Sequence, residues 1–131
     1  MIIQDIYSFL KQDLTLSTTL NATTQDSKIY PNFARLSSRI PYIVYQVTNA
    51  GGSQDEVLSE EDITFLITAE DYSKVVVISY LLTSLFDLTC NTIPSTTYNI
   101  YYSKKVGGTD YTDDLGRYVR ALNFIFKFSK K

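Results

Sequence analysis

The sequence predicts an α+β fold, a mainly antiparallel sheet of about four to five strands with two helices packed on one face. Three observations predict it. Two stretches, 2–11 and 74–88, space their apolar residues at the helical period of about 3.6. Several shorter runs are rich in Tyr, Val, Ile and Phe, the residues that suit pleated, half-buried strands. The order along the chain is helix, three strands, helix, two strands.

The first helix is read from Ile2, Ile3, Ile6, Phe9 and Leu10 on one side and Gln4, Asp5, Ser8 and Lys11 on the other. It is expected to continue, kinked, through Leu14, Leu16 and Leu20, where serines and threonines obscure its end. Lys28 to Phe33 reads as a short strand, which Pro31 places at an edge or bend. Pro41 opens a tyrosine-rich strand running to about Thr48, and Gly51-Gly52 end it. Ile63 to Ala69 is a third strand, with Ile63, Phe65 and Ile67 on one face and Leu66 on the other, so both faces are expected to be covered. Asp71 or Ser73 caps the second helix, whose stripe is Val75, Ile78, Leu82, Leu85 and Phe86, widened by Val77, Leu81 and Leu88. Asn91 and Pro94 close it. Tyr98 to Lys105 is a fourth strand, with Tyr98 and Tyr102 on one face and Tyr101 on the other. A glycine-bearing acidic loop follows from Val106 to Gly116. The last strand, 117–128, alternates Tyr118, Arg120, Leu122, Phe124, Phe126 and Phe128 with Val119, Ala121, Asn123, Ile125 and Lys127.

At 131 residues the chain fits one domain, 1–131, able to bury a core without disulfides or metal. Tyrosine is abundant, 11 with 7 Phe and no Trp, and its apolar ring with a polar tip suits half-buried strands and wet interfaces. The net charge of −2 gives no global case for nucleic-acid binding. The absence of His removes the usual general base and most zinc sites. Cys90 is alone, so no intrachain disulfide forms, and its place after an apolar run suggests a small buried hydrophobe. The N-terminus lacks a signal-peptide pattern, and no apolar run reaches the ~20 residues of a membrane span. The aspartates of "GGTDYTDDLG" miss the calcium-loop spacing, Gly107-Gly108 lack the Lys-Ser/Thr of a phosphate loop, and Glu60-Glu61 are adjacent and would face opposite ways on a strand. No catalytic residue, metal site or cofactor is expected, and an enzyme has no motif behind it.

Taken in order, "YSFLKQD" ending the first helix, "KIYPNFAR", "IPYIVYQV", the strand "DITFLITAED" and the helix "YSKVVVISYLLTSLF" resemble the tail-terminator, or tail-completion, proteins of long-tailed bacteriophages. The resemblance runs to about Leu88, and beyond it the closing strands agree only in kind. It is one of pattern, with no catalytic motif. It implies a virion protein that forms a ring, usually a hexamer, at the head-proximal end of the tail. The ring ends tail-tube growth and meets the head connector, while DNA passes through without sequence-specific contact. The partners implied are further copies of the chain, the tail-tube protein and a head connector or neck protein, with assembly in the host cytoplasm. A neck or head-completion adaptor, and a small nucleic-acid-binding or regulatory domain using the basic C-terminal strand, stay open as alternatives.

Three groups are candidate surfaces under this reading. Asp55, Glu56, Glu60, Glu61 and Asp62 form an acidic segment, either a solvated tip or a rim that would repel DNA phosphates from a channel wall. Lys104, Lys105, Arg117 and Arg120 form a basic side that could meet it across subunits. Val106, Gly107, Gly108, Asp110, Tyr111, Asp113 and Asp114 form the long loop, expected to be mobile alone and ordered against a partner.

Overall fold

The computed structural model describes residues 2–34, 39–50 and 59–131, and of residues 49 and 50 the backbone alone. Helix α1 spans Ile3–Gln12 and α2 spans Leu14–Thr19. Strands β1 (Ile29–Pro31), β2 (Tyr42–Ala50) and β3 (Ser59–Ala69) follow, then α3 (Tyr72–Phe86) and strands β4 (Thr89–Cys90), β5 (Tyr98–Thr112) and β6 (Tyr118–Lys130). The strands form one six-stranded sheet in the order β1-β2-β3-β6-β5-β4. β1 runs parallel to β2, and every other neighbouring pair is antiparallel.

The expectation of a mainly antiparallel sheet of four to five strands with two helices is therefore corrected to a mixed six-stranded sheet with three helices. Each departure has a local cause. Asp13 leaves the helical region at ψ 113 and its Oδ2 accepts the Leu16 N–H at 2.9 Å. One kinked helix thus becomes two, the second with its own N-cap. β4 is two residues long and shows no alternating pattern, whereas β1, expected as a short edge strand, is present but lies parallel to β2. β5 continues through Gly107 and Gly108, where a loop was expected.

The core lies between the sheet and the helices. In the register Tyr45↔Phe65↔Leu122, alternate residues of β2, β3 and β6 share a face. Ile43, Ile63, Phe65, Ile67, Leu122, Phe124 and Phe126 are buried on it. α1 contributes Ile6 and Leu10 and α3 contributes Val75, Ile78, Leu82 and Phe86, one residue per turn from each helix. The predicted stripe holds for these four, with Leu85 and Leu81 only partly buried and Val77 and Leu88 exposed. Phe86 is the hub: its ring stacks on Phe65 at 5.7 Å and meets Phe124 and Phe126 edge-on at 5.8 and 5.3 Å and Phe9 of α1 at 5.9 Å.

Of the two N-cap candidates, Asp71 and Ser73, Asp71 holds the position, but its side chain makes no capping bond; its carbonyl oxygen accepts from the Lys74 and Val75 N–H groups. The helix ends at Phe86, ahead of Asn91 and Pro94, because Asp87 is extended and Leu88 turns left-handed at φ 55. Cys90, read as a buried hydrophobe, is exposed on the edge strand β4. On the sheet face away from the helices, Tyr42, Val44, Thr64, Thr68 and Val119 are buried, and Leu66, Ala121 and Ile125 are half-buried.

Candidate interaction surfaces

Most of the segment read as a loop is strand. Val106, Gly107, Gly108, Asp110 and Tyr111 are on β5, paired antiparallel with β6 up to Thr112↔Tyr118. A tight turn holds only residues 113–117. Asp113 builds it: its Oδ1 accepts the N–H groups of Leu115 (3.0 Å) and Arg117 (2.9 Å), and its Oδ2 accepts Arg117 Nε at 2.7 Å. Gly116 supplies the left-handed residue at φ 76. Desolvation pushes the Asp113 carboxyl up, but the Arg117 and Leu115 hydrogen bonds outweigh it and hold the group below its ordinary value. Composition misleads here because a glycine pair and aspartates look disordering until their partners are known. A Cβ on Gly108 would lie 2.5 Å from the Ala121 carbonyl oxygen, so this glycine permits close strand approach beside the register shift between Lys105 and Gly107. Gly107 meets nothing within 4 Å.

The start of α3 is tied to this hairpin. Arg120 donates from Nε to Asp110 Oδ1 at 2.6 Å and from its NH2 group to Asp110 Oδ2 at 2.9 Å, a two-pronged pair across β5 and β6. The same NH2 group donates to the Tyr72 hydroxyl at 2.8 Å, and that hydroxyl donates to Asp110 Oδ2 at 2.8 Å. The Tyr72 ring packs edge-on against Tyr118 at 5.8 Å. The Arg120 bonds, then the Tyr72 bond, hold the Asp110 carboxyl below its ordinary value, and Asp110 raises Arg120 in turn. A shallow cavity of about 440 Å³ opens beside the cluster, lined by Tyr72, Asp110, Tyr111, Thr112, Tyr118 and Val119. Tyr72 was missed from sequence because a tyrosine at a helix start carries no chemical signature of its own.

The basic group divides accordingly. Arg120 is held by Asp110. Arg117 is held by Asp113 and lies over the Tyr42 ring at 5.8 Å. Lys104 and Lys105 are exposed, and neither forms an ion pair with a described residue. The acidic group divides too. Asp55 and Glu56 lie outside the described residues. Glu60 sits 3.9 Å from Lys127 Nζ on the face away from the helices. Glu61 is buried on the helix face with Oε2 unpaired, and burial raises its carboxyl above the ordinary value. Asp62, on the outer face, has a buried Oδ1 without a partner. Strand alternation thus breaks one apparent acidic patch into two faces.

The two outer edges of the sheet differ. At β1, Ser27 Oγ accepts the Ile29 N–H and donates to the Ile29 carbonyl, and Pro31 has no N–H to offer. Beyond it, Asn32 donates to the Tyr45 carbonyl and Gln46 Nε2 donates back to the Asn32 carbonyl. At the opposite edge β4 covers only Tyr102 and Ser103, and Asp87 Oδ1 accepts the Lys105 N–H at 2.9 Å. Past that point no described strand pairs with the outer side of β5.

A second concavity, about 620 Å³, lies between α1 and β1 and is lined by Tyr7, Lys11, Asp26, Ser27, Tyr30 and Phe33 among others. Among the described residues no group of His, Cys, Asp or Glu side chains is arranged to hold a metal ion, and no helix is long and apolar enough to cross a membrane.

What these features define first is a class of architecture: a mixed sheet with one helical face, a long central β3–β6 ladder and edges of unequal protection. That architecture has a solved counterpart. The chain is similar in fold to a chain of the virion of a native gene transfer agent particle, with a TM-score of 0.68 over 96% of this chain and 92% of that one, at 10% sequence identity. No family model matches the sequence, and no curated protein matches it.

Proposed function

We propose that the chain is a structural virion protein of a phage-like particle, forming a ring at the head-proximal end of the tail that ends tube growth and joins the tail to the head connector. The observation that carries this is the fold shared with a gene transfer agent virion chain over nearly the whole length of both. The sequence pattern from "YSFLKQD" to "YSKVVVISYLLTSLF", which resembles tail terminators, adds the position in the particle. Its partners on this reading are other copies of itself, the tail-tube protein and a head connector or neck protein, with DNA passing through unread. The reading assigns no catalysis and no cofactor.

A nucleic-acid-binding role is less well supported. Arg117 and Arg120 are engaged by aspartates of their own hairpin, and the net charge is −2. DNA binding by electrostatics needs free cations along a face.

The test adds purified protein to growing tail tubes and images them. Capping at one end, with tube length fixed, supports the terminator role. Binding to connectors with no effect on tubes would move the assignment to a neck adaptor. Binding to neither would overturn the virion role.

A further inference from the structure

We propose that the open outer edge of β5, from Val106 to Thr112, docks the edge of β2 in a second copy of this chain, Gln46 to Ala50, as an added antiparallel strand pair. The contact deepens the ring reading and rests on it only for closure.

Four observations lead there. First, the exposed edge is long, beginning where the Asp87–Lys105 bond ends its protection. An unpaired strand edge presents a row of backbone donors and acceptors, and isolated proteins usually blunt it. Here the opposite edge is blunted by Ser27 and Pro31, whereas beyond the register shift at Lys105/Gly107 no described residue covers this one.

Second, α3 overhangs the edge. Tyr72 at its start bonds Asp110, and Asp87 at its end bonds Lys105, so one flank of the helix runs along β5. Val76 and Tyr80 follow Tyr72 at four-residue steps on that flank. They are 41% and 70% exposed, and Val106 is 57% exposed. A strand added to β5 would lie under these side chains and take them out of water.

Third, the other edge of the sheet carries the matching element. β1 covers β2 only from Ile43 to Tyr45, which leaves 46–50 unpaired on its outer side among the described residues. β2 and β5 run in opposite directions through the sheet, so copies placed side by side with the same orientation pair them antiparallel. Val47, partly buried on the helix face, would then lie on the side that carries Val76 and Tyr80 of the neighbour.

Fourth, the charges complement. Lys104 and Lys105 lie at the inner end of the open β5 edge without ion pairs among the described residues. Asp62, half-buried with an oxygen lacking a partner, pairs with Asn49 near the end of the open β2 edge. The two open segments are the C-terminal halves of oppositely directed strands and so lie at opposite ends of the sheet, and joining them offsets successive copies by about four residues, ~13 Å, along the strand. Stagger of this kind is what a sheet needs in order to close on itself. A contact that uses two different patches grows head to tail.

Two variants isolate the edges: Tyr80→Lys with Val106→Lys on the β5 side, and Gln46→Lys with Thr48→Lys on the β2 side. Wild-type protein should associate with rising concentration in sedimentation, and each variant alone should stay monomeric with an unchanged circular dichroism spectrum. Mixed in equal amounts, the variants should form a one-to-one heterodimer by native mass spectrometry, because each retains the edge the other lacks. A wild-type chain that stays monomeric to about 1 mM, where association is weaker than about −4.1 kcal/mol, overturns the proposal. So does a variant that still assembles, or a mixture that stays monomeric. Assembly surviving both variants would overturn the edge contact while leaving the ring reading standing. If the lysines unfold the chain, Thr48→Cys with Thr109→Cys in a Cys90→Ser background replaces them. Oxidation should then give disulfide-linked multimers, and only monomers would overturn the contact.

Discussion

The phenylalanine cluster under α3 and the Tyr72–Asp110–Arg120 cluster at its start both fasten the same helix to the same sheet, by opposite means. The first excludes water and is non-directional; Phe86 is buried and touches four other rings. The second is directional, lies at the surface and depends on charge. Stability should therefore reside in the first, while the second fixes where the helix start and the hairpin sit relative to each other.

The largest effect expected on that division is from Phe86→Ala, which removes the hub and should destabilise the chain by ~3–5 kcal/mol in denaturant unfolding. Leu82→Ala, one turn back in the same core, should cost ~2–5 kcal/mol. A loss below about 1 kcal/mol at either site would mean that the helix is held chiefly by something else.

The glycine pair sharpens the contrast inside the hairpin. Gly108→Ala drives a Cβ into the Ala121 carbonyl and should cost ~1–3 kcal/mol, whereas Gly107→Ala has open space and should fall within ~0.5 kcal/mol of wild type. Equal effects at the two positions would show that the register across the shift is wrong.

Arg120→Ala should cost only ~0–1 kcal/mol, the scale of an exposed ion pair. Its clearer signature is in pH. Asp110 and Asp113 have folded-state pKa values below their unfolded ones, so the folded chain binds fewer protons. Their stabilisation is present above the ordinary carboxylate pKa and is lost as pH falls through the lowered folded value. Arg120→Ala should flatten that acid limb, as followed by thermal unfolding at stepped pH.

Glu61 has the opposite sign, and the smallest effect expected. Its folded pKa is raised by burial, so its cost appears as pH rises through the window between unfolded and folded values. Glu61→Gln should match or exceed wild-type stability at pH 7, and the difference should vanish in acid. A marked loss at pH 7 would show that the carboxylate has a partner that matters.

The contrast between the clusters also explains what could be read from the chain. The apolar one was legible: Val75, Ile78, Leu82 and Phe86 repeat at helical spacing and Phe124, Phe126 and Phe128 alternate, so periodicity alone assigns them to the core. The polar one was not, since Asp110 and Arg120 meet only when a strand register is known. That register was hidden by glycines read as loop. The acidic run 60–62 misled in the other direction, because it was read as a tip or rim ahead of a strand beginning at Ile63, whereas β3 begins at Ser59 and splits the run between two faces. β1 was legible as a short edge strand, but its parallel pairing depends on a crossover that no local pattern encodes, and β4 was too short to carry a period. Cys90 looked buried because an apolar helix precedes it, yet Leu88 turns the chain out to the edge first.

β6 is flanked along its length by β3 and β5, in continuous register from Ser59↔Phe128 to Ala69↔Tyr118 on one side and paired, across two register shifts, from Tyr98↔Lys130 to Thr112↔Tyr118 on the other. A tension applied along that strand loads both ladders in shear, so many hydrogen bonds must yield together. The same tension across the sheet would open β1 or β4 one bond at a time. The subunit is thus mechanically anisotropic, stiff along its strands and compliant at its rims.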